Sequence, residues 1–173
     1  MELWDLYTES RVKTGETHTR GNPLPKDRYH LVVHVWIKNS KGKYLISQRS
    51  KTRKVNPLKF ESTAGAVLKG ENSLQAAIRE TKEELGIALN PNMGKLVFSE
   101  LRKELDGIVF NDIKDVWLFN YDGEVNLKNA TTCEVESAKW MTIDEIYELY
   151  SSGMMVSKNT DCFDKVISFG GEG

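Results

Sequence analysis

The chain opens on an alternating pattern. Leu3-Trp4-Asp5-Leu6-Tyr7-Thr8 interleaves apolar and polar positions. After a polar stretch containing Gly15, Thr17–Arg20 predicts a partner strand, so residues 1–28 are expected to form an N-terminal hairpin and its exit. Gly21–Lys26 carries two prolines and reads as a connecting loop. The densest apolar run, Tyr29–Ile37, predicts a strand buried on both faces of a sheet. Asn39–Gly42 reads as a turn and Lys43–Gln48 as the return strand. Residues 50–59 form a basic loop, and Ser62–Leu68 a short strand or loop around Gly65.

The period then changes from two to that of a helix. Asn72 or Ser73 is placed to cap it, Asn72 with Gln75 makes a capping-box pair, and Gly86 stops it after Leu85. At about 100° per residue, Leu74, Ala77, Ile78, Thr81 and Leu85 share one arc, the expected buried face. Glu80, Glu83 and Glu84 share a neighbouring arc. Further strands are expected over residues 96–104, 108–112, 116–121 and 139–141, and helices over 143–150 and 163–169. The whole is expected to be one α/β domain of residues 1–173, with its core over 29–170.

Composition acts mainly by exclusion. Lys and Arg number 24 against 25 Asp and Glu, so no global field steers the chain to nucleic acid or to an anionic membrane. The longest apolar stretch, Leu31–Ile37, is interrupted by His34 and is far too short to span a bilayer. The N-terminus shows neither a basic region nor an apolar run of signal-peptide type. Cys133 and Cys162 make neither a disulfide framework nor a C-x-x-C pair, so free thiols in a reducing cytoplasm are expected.

Local charge carries the chemistry. Three carboxylates at i, i+3 and i+4 repel by a few tenths of a kcal/mol per pair. A cation would relieve that repulsion, and hard oxygens on one rigid face suit Mg²⁺. The plain alternative is a solvated acidic face offset by Arg79 and Lys82.

The wider spacing runs Gly65, five residues, Glu71, seven residues, Arg79-Glu80, two residues, Glu83-Glu84, Leu85, Gly86, Ile87. This resembles the Nudix box, whose fixed glycines, glutamates and arginine recur at those intervals. Thr81 stands where the family usually has an aliphatic residue. It faces the core arc, so the departure touches packing more than chemistry. The resemblance implies the Nudix fold, an α/β/α sandwich around a mixed β-sheet, and hydrolysis of a diphosphate linkage in a small nucleoside diphosphate-type substrate. It implies Mg²⁺, or Mn²⁺ in its place, held by Glu80, Glu83, Glu84 and the Gly65 carbonyl. Glu71 and Arg79 would be a structural pair. The general base would be Glu80 first, or Glu134, which sits six residues before Trp140 where some relatives place an extra metal-binding glutamate. The plain reading of Glu134 is a surface glutamate.

Thr14-Gly15, His18 and Tyr29–Trp36 are also similar to the branch containing type 1 isopentenyl diphosphate isomerase. That enzyme needs a cysteine just before the box glycine and a histidine just after it, and here those positions hold Ala64 and Ala66. His18 and His30 match two of its metal ligands in type alone, so hydrolysis is expected over isomerisation. His30 and His34 are expected as core or pocket residues. A non-catalytic nucleotide-binding module is the other alternative, and the intact box carboxylates argue against it.

Substrate signatures are thin. Arg102 stands near the position where ADP-ribose-directed relatives carry proline, and Lys103, Glu104 and Leu105 fill the window where dinucleotide polyphosphate hydrolases carry tyrosine. Leu45–Ser50 only partly resembles the coenzyme A-directed motif. Arg49, Lys51, Arg53, Lys54 and Lys59 form a basic segment before the box, a candidate phosphate contact with Arg49 foremost, or else a solvated loop. Trp36, Trp117 and Phe119 are expected in the core. A homodimer, the commonest assembly, is left open.

Overall fold

The structure is a computed structural model that describes residues 1–105 and 108–171. Strands β1 (Leu3–Tyr7) and β2 (Lys13–Thr19) pair antiparallel as the expected hairpin. The main sheet contains β3 (His30–Lys38), β4 (Tyr44–Arg49), β5 (Phe60–Glu61), β6 (Thr63–Ala66), β7 (Gly94–Leu105), β8 (Ile108–Asn120) and β9 (Val135–Met141). Its order is β5-β4-β3-β8-β7, with β6 on β3 and β9 on β4. Among the described strands only β3 and β8 run parallel, from His30 opposite Asp112 to Lys38 opposite Asn120, so the sheet is mixed.

β3 and β4 meet at Lys38 and Tyr44 next to their turn and then part. β6 takes the freed edge of β3, which sets Gly65 opposite Val33 and Ala64 opposite His34. β9 takes the freed edge of β4.

α1 (Ser73–Leu85) lies on one face, where Val33, Val35, Ala77 and Leu85 share a core. α2 (Ile143–Ser151) and α3 (Asp161–Gly170) lie on the other, where Trp36, Ile46, Val116, Ile146 and Phe163 share a second core. This is the expected α/β/α arrangement. β3 runs between both cores, which explains its near-continuous apolar sequence. Phe163 stacks on Trp36 at 4.8 Å and meets Tyr44 edge-on. Its removal would cost about 3–5 kcal/mol.

Three details differ from the sequence expectation. β8 is one strand through Asp115, because Arg11 and Ser99 satisfy that carboxylate in place. β9 begins at Val135 because β4 supplies a partner that periodicity does not show. The buried face of α1 includes Ser73 and Ala76 while Leu74 and Ile78 are only partly covered. The Trp117 indole donates to Ser73 at 2.7 Å and draws that edge of the helix onto β8.

The hairpin docks on the box. Tyr7 and Tyr29 exchange backbone bonds of 2.8 and 3.0 Å, and the Lys69 amide donates to the Leu3 carbonyl at 2.7 Å. The Gly70 amide donates to the Asp5 carboxylate at 2.8 Å. Among the described residues, no helix is long and apolar enough to cross a membrane.

Candidate active site

α1 is held at both ends. The Asn72 side chain accepts from the Gln75 amide while Gln75 accepts from the Asn72 amide, each at 2.9 Å. Capping of this kind contributes about 1 kcal/mol. Gly86 closes the helix at φ 70°, a conformation that suits glycine, and a side chain there would meet the backbone at Asn126 and Asn129. Thr81 is fully buried and its hydroxyl donates to the Ala77 carbonyl at 2.8 Å, so its polar group is satisfied within the helix.

Arg79 organises one side of the site. Its Nε and Nη2 donate to the two Glu71 oxygens at 2.8 and 3.0 Å, and Nη2 also reaches the Ala66 carbonyl at 2.9 Å. Glu71 in turn accepts from the Leu68 amide at 3.0 Å. Burial opposes ionisation of Glu71, but these donors outweigh it and hold its carboxyl below the usual range. The loop between β6 and α1 is therefore pinned to the helix.

Nη1 of Arg79 donates to Glu80 at 2.8 Å and to Glu83 at 3.0 Å. The Glu80 carboxyl lies against the Gly65 α-carbon, and any Cβ at position 65 would fall inside it. Burial pushes the Glu80 carboxyl up in spite of Arg79.

Glu84 contrasts with both. No donor among the described residues meets its carboxylate. Burial, followed by the charges of Glu80, Glu61 and Glu134, pushes it well above the usual range. Glu61, on the two-residue β5, is the site residue that sequence reasoning missed. Isolated in Phe60-Glu61-Ser62, it carries no periodic signal. Arg49 ion-pairs with it and donates through Nε to the Val55 carbonyl at 3.1 Å. Arg49 is therefore engaged within the protein, holding the 50–59 loop beside β5.

Glu134 arrives by two tethers. The Thr131 and Thr132 amides donate to the Glu83 carbonyl at 2.9 and 3.2 Å, and the Ser50 amide donates to the Glu134 carbonyl at 2.8 Å. Arg53 closes on the Glu134 carboxylate at 2.5 Å. The basic loop thus turns two arginines toward acidic side chains. Glu80, Glu83, Glu84, Glu61 and Glu134 gather here, as a set of hard oxygen donors of the kind a divalent cation takes. With Nη1 of Arg79 between Glu80 and Glu83, no three acidic or other metal-binding side chains among the described residues yet share one point. Holding an ion requires those two glutamates to exchange the guanidinium for it.

A cavity of about 610 Å³ is lined by Glu61 of this cluster, by Ser62 and Ala64, and by His34, Arg102 and Lys114. Burial, then the charges of Arg102 and Lys114, lower His34 to about 3, so its ring is neutral at physiological pH. A second depression of about 690 Å³ near Asn39, Met93 and Phe169 lacks the box residues.

The other expected residues fall as follows. His30 is buried and stacks on Trp4 at 4.0 Å, while His18 lies 5.9 Å from the same indole. Burial, then His18, lower His30 to about 4. Ala64 and Ala66 carry neither thiol nor imidazole. Cys133 and Cys162 are free thiols. Trp36 and Phe119 are core residues, and Trp117 is partly buried.

The model of the NUDIX domain matches residues 28–158. An uncharacterised Nudix hydrolase of Listeria monocytogenes is 39% identical over 157 residues, covering 90% of this chain and 89% of its own. Nudix hydrolase 3 of Arabidopsis thaliana is 32% identical over 83% of this chain and 20% of its own. Among solved structures, a Deinococcus radiodurans protein superposes with a TM-score of 0.70 at 22% identity, over 95% of this chain and 97% of its own. An Ap4A hydrolase of C. elegans superposes with a TM-score of 0.56 at 20% identity, over 83% and 99%.

Proposed function

Because this chain belongs to the Nudix hydrolase family, we propose that it hydrolyses a diphosphate linkage with a divalent cation, Mg²⁺ or Mn²⁺, held on the acidic flank of α1. One observation carries this reading: Glu84 is an inward-facing carboxylate that meets no donor among the described residues and faces three other acids. Glu83 and Glu84, both in the last helical turn, also oppose the negative end of the helix dipole. A protein keeps such a cluster at a cost in stability, and an added positive charge removes that cost.

Glu80, Glu83, Glu84 and the Gly65 carbonyl are the ligands in this reading, and Glu71 with Arg79 positions them. When bound, the cation neutralises diphosphate oxygens and makes a water more acidic. The protein's part is alignment and proton transfer, since phosphoryl transfer needs charge neutralisation and in-line geometry more than covalent chemistry. Gly65 lets the Glu80 carboxylate approach the β6 backbone. Arg79 is ready to take back Glu80 and Glu83 when the ion leaves.

For the general base, the sequence favours Glu80 first. The structure favours Glu134: its side chain is 42% exposed and it faces Glu84 from a loop, whereas Glu80 is confined against Gly65. Arg53 would move from Glu134 to a substrate phosphate as the base is freed. Arg49, held by Glu61 and Val55, supports the loop that carries Arg53. The isomerase alternative lacks its nucleophile and acid at Ala64 and Ala66.

The test is release of phosphate or nucleotide from a panel of diphosphate compounds, with and without Mg²⁺ or Mn²⁺, on the wild type, Glu83→Gln, Glu80→Gln and Glu134→Gln. Divalent-dependent cleavage abolished in Glu83→Gln supports the reading. Cleavage by none of the panel, or full activity in Glu83→Gln, sinks it. A larger loss of kcat in Glu134→Gln, with metal affinity retained, assigns the base.

A further inference from the structure

Strand β6 and helix α1 run past each other in opposite directions. Arg79 donates to the Ala66 carbonyl at 2.9 Å, and the Glu80 carboxyl lies against the Gly65 α-carbon. A step back along the strand is thus matched by a step forward along the helix. Two extended residues cover about 6.6 Å, and four helical residues about 6 Å. The position two before Gly65 is therefore level with the position four after Glu80. Those positions hold Thr63 and Glu84.

Register puts Thr63 on the face that α1 covers. Gly65 lies opposite Val33 and Thr63 opposite Val35, and both valines belong to the core shared with α1. After burial, the charges that act most on Glu84 are those of Glu80, level with Gly65, and of Glu61, two residues back from Thr63. They bracket Thr63 along the chain.

Each of the two groups lacks what the other offers. Thr63 is 2% exposed, and its hydroxyl is buried with no hydrogen-bond partner among the described residues. The Glu84 carboxylate meets no donor among them. A hydroxyl can donate, and an ionised carboxylate can only accept. Two other buried hydroxyls, both on α1, are satisfied: Thr81 donates to the Ala77 carbonyl, and Ser73 accepts from Trp117. Valine has nearly the shape of threonine and suits a strand equally well, without the cost of an unpaired hydroxyl. The oxygen at position 63 therefore does nothing for the fold as it stands.

We propose that Thr63 is a positioning residue for Glu84: in the cation-bound protein its hydroxyl donates to one Glu84 oxygen and turns the other toward the ion. Resting on the diphosphate-hydrolase reading, this adds to the site a residue that touches neither ion nor substrate. Carboxylates that hold a metal are commonly fixed by a hydrogen bond from behind, and loss of that bond weakens the metal's hold. Serine can supply the bond at position 63, and valine cannot.

The experiment pairs metal affinity with metal-free stability. Binding of Mn²⁺ alone is measured by calorimetry on the wild type, Thr63→Val, Thr63→Ser, and Glu84→Gln with and without Thr63→Val. Urea unfolding of the same proteins is followed in EDTA. Thr63→Val should weaken Mn²⁺ binding by roughly tenfold to a hundredfold, while its urea midpoint in EDTA stays level with the wild type or rises. Thr63→Ser should keep binding within about threefold of the wild type. In Glu84→Gln, the further change to valine should alter binding by less than about twofold, since the two residues act as one unit. Wild-type affinity in Thr63→Val, a lowered midpoint in EDTA, a serine variant as weak as the valine one, or a full additional loss in Glu84→Gln would overturn the proposal. If the wild type itself binds no Mn²⁺, the hydrolase reading falls with it. If the wild type binds Mn²⁺ and cleaves diphosphates while Thr63→Val matches it, only Thr63 loses its role.

Discussion

Two carboxylates beside α1 show what separates a structural charge from a functional one. Asp115 is fully buried on β8. It receives both Nη groups of Arg11 at 2.5 Å and the Ser99 hydroxyl at 2.6 Å. Burial opposes its ionisation, but Arg11, Ser73 and Ser99 outweigh it and hold it below the usual range. Glu84, at the other end of the helix, meets acids instead of donors and is pushed the opposite way. Asp115 fastens the hairpin and the helix start to the sheet from within. In the Glu84 cluster Arg79 answers Glu80 and Glu83, Arg49 answers Glu61 and Arg53 answers Glu134, while the Glu84 carboxylate itself meets no donor among the described residues. Satisfied polar groups steady a fold, and unsatisfied ones mark where a ligand belongs.

The contrast breaks most sharply at Glu83. Glu83→Gln should lower kcat by about three orders of magnitude, about 4 kcal/mol of barrier, with a normal circular dichroism spectrum. An unchanged kcat places the chemistry elsewhere. Arg11→Ala should do the converse. Stranding the Asp115 charge should cost about 3 kcal/mol in chemical denaturation while activity per folded molecule is preserved. Next in size is the response to metal. At a hundredfold excess over Kd, Mg²⁺ should stabilise the wild type by about 2.7 kcal/mol and Glu83→Gln by much less, read as a melting-temperature shift.

Acid sharpens the comparison further. Because the folded pKa of Asp115 is depressed, its contribution is present above the unfolded value near 4 and is lost as pH falls through the folded one. Asp115→Asn should flatten the fall in stability below about pH 4, and an unaltered acid limb would remove Asp115 from that role. The smallest effect is expected at Arg49. Arg49→Ala should loosen the 50–59 loop and change KM by roughly tenfold or less, with kcat nearly intact. A large loss of kcat would give Arg49 a direct part in the reaction.

Much of the site helix was readable in advance for a local reason. A helix repeats every 3.6 residues through bonds between neighbours four apart. Spacing alone therefore placed Glu80, Glu83 and Glu84 on one flank, Thr81 against the core, and Asn72 and Gly86 at the ends. Glu134 was found only through resemblance, since nothing in Thr131–Glu136 has a period. Glu61 was missed for the same reason, as were the true ends of β8 and β9.

By itself, then, the sequence determined the fold class, the capped helix and the acidic flank, because neighbouring backbone geometry dictates them. Only the tertiary structure decided that Arg49 closes on Glu61, that Arg53 meets Glu134, that Arg11 crosses to Asp115, and that Lys114 and Arg102 line a cavity together with Glu61. Those encounters join residues distant along the chain, or turn a side chain toward one face or another. They exist only once strand order and register bring the partners within reach.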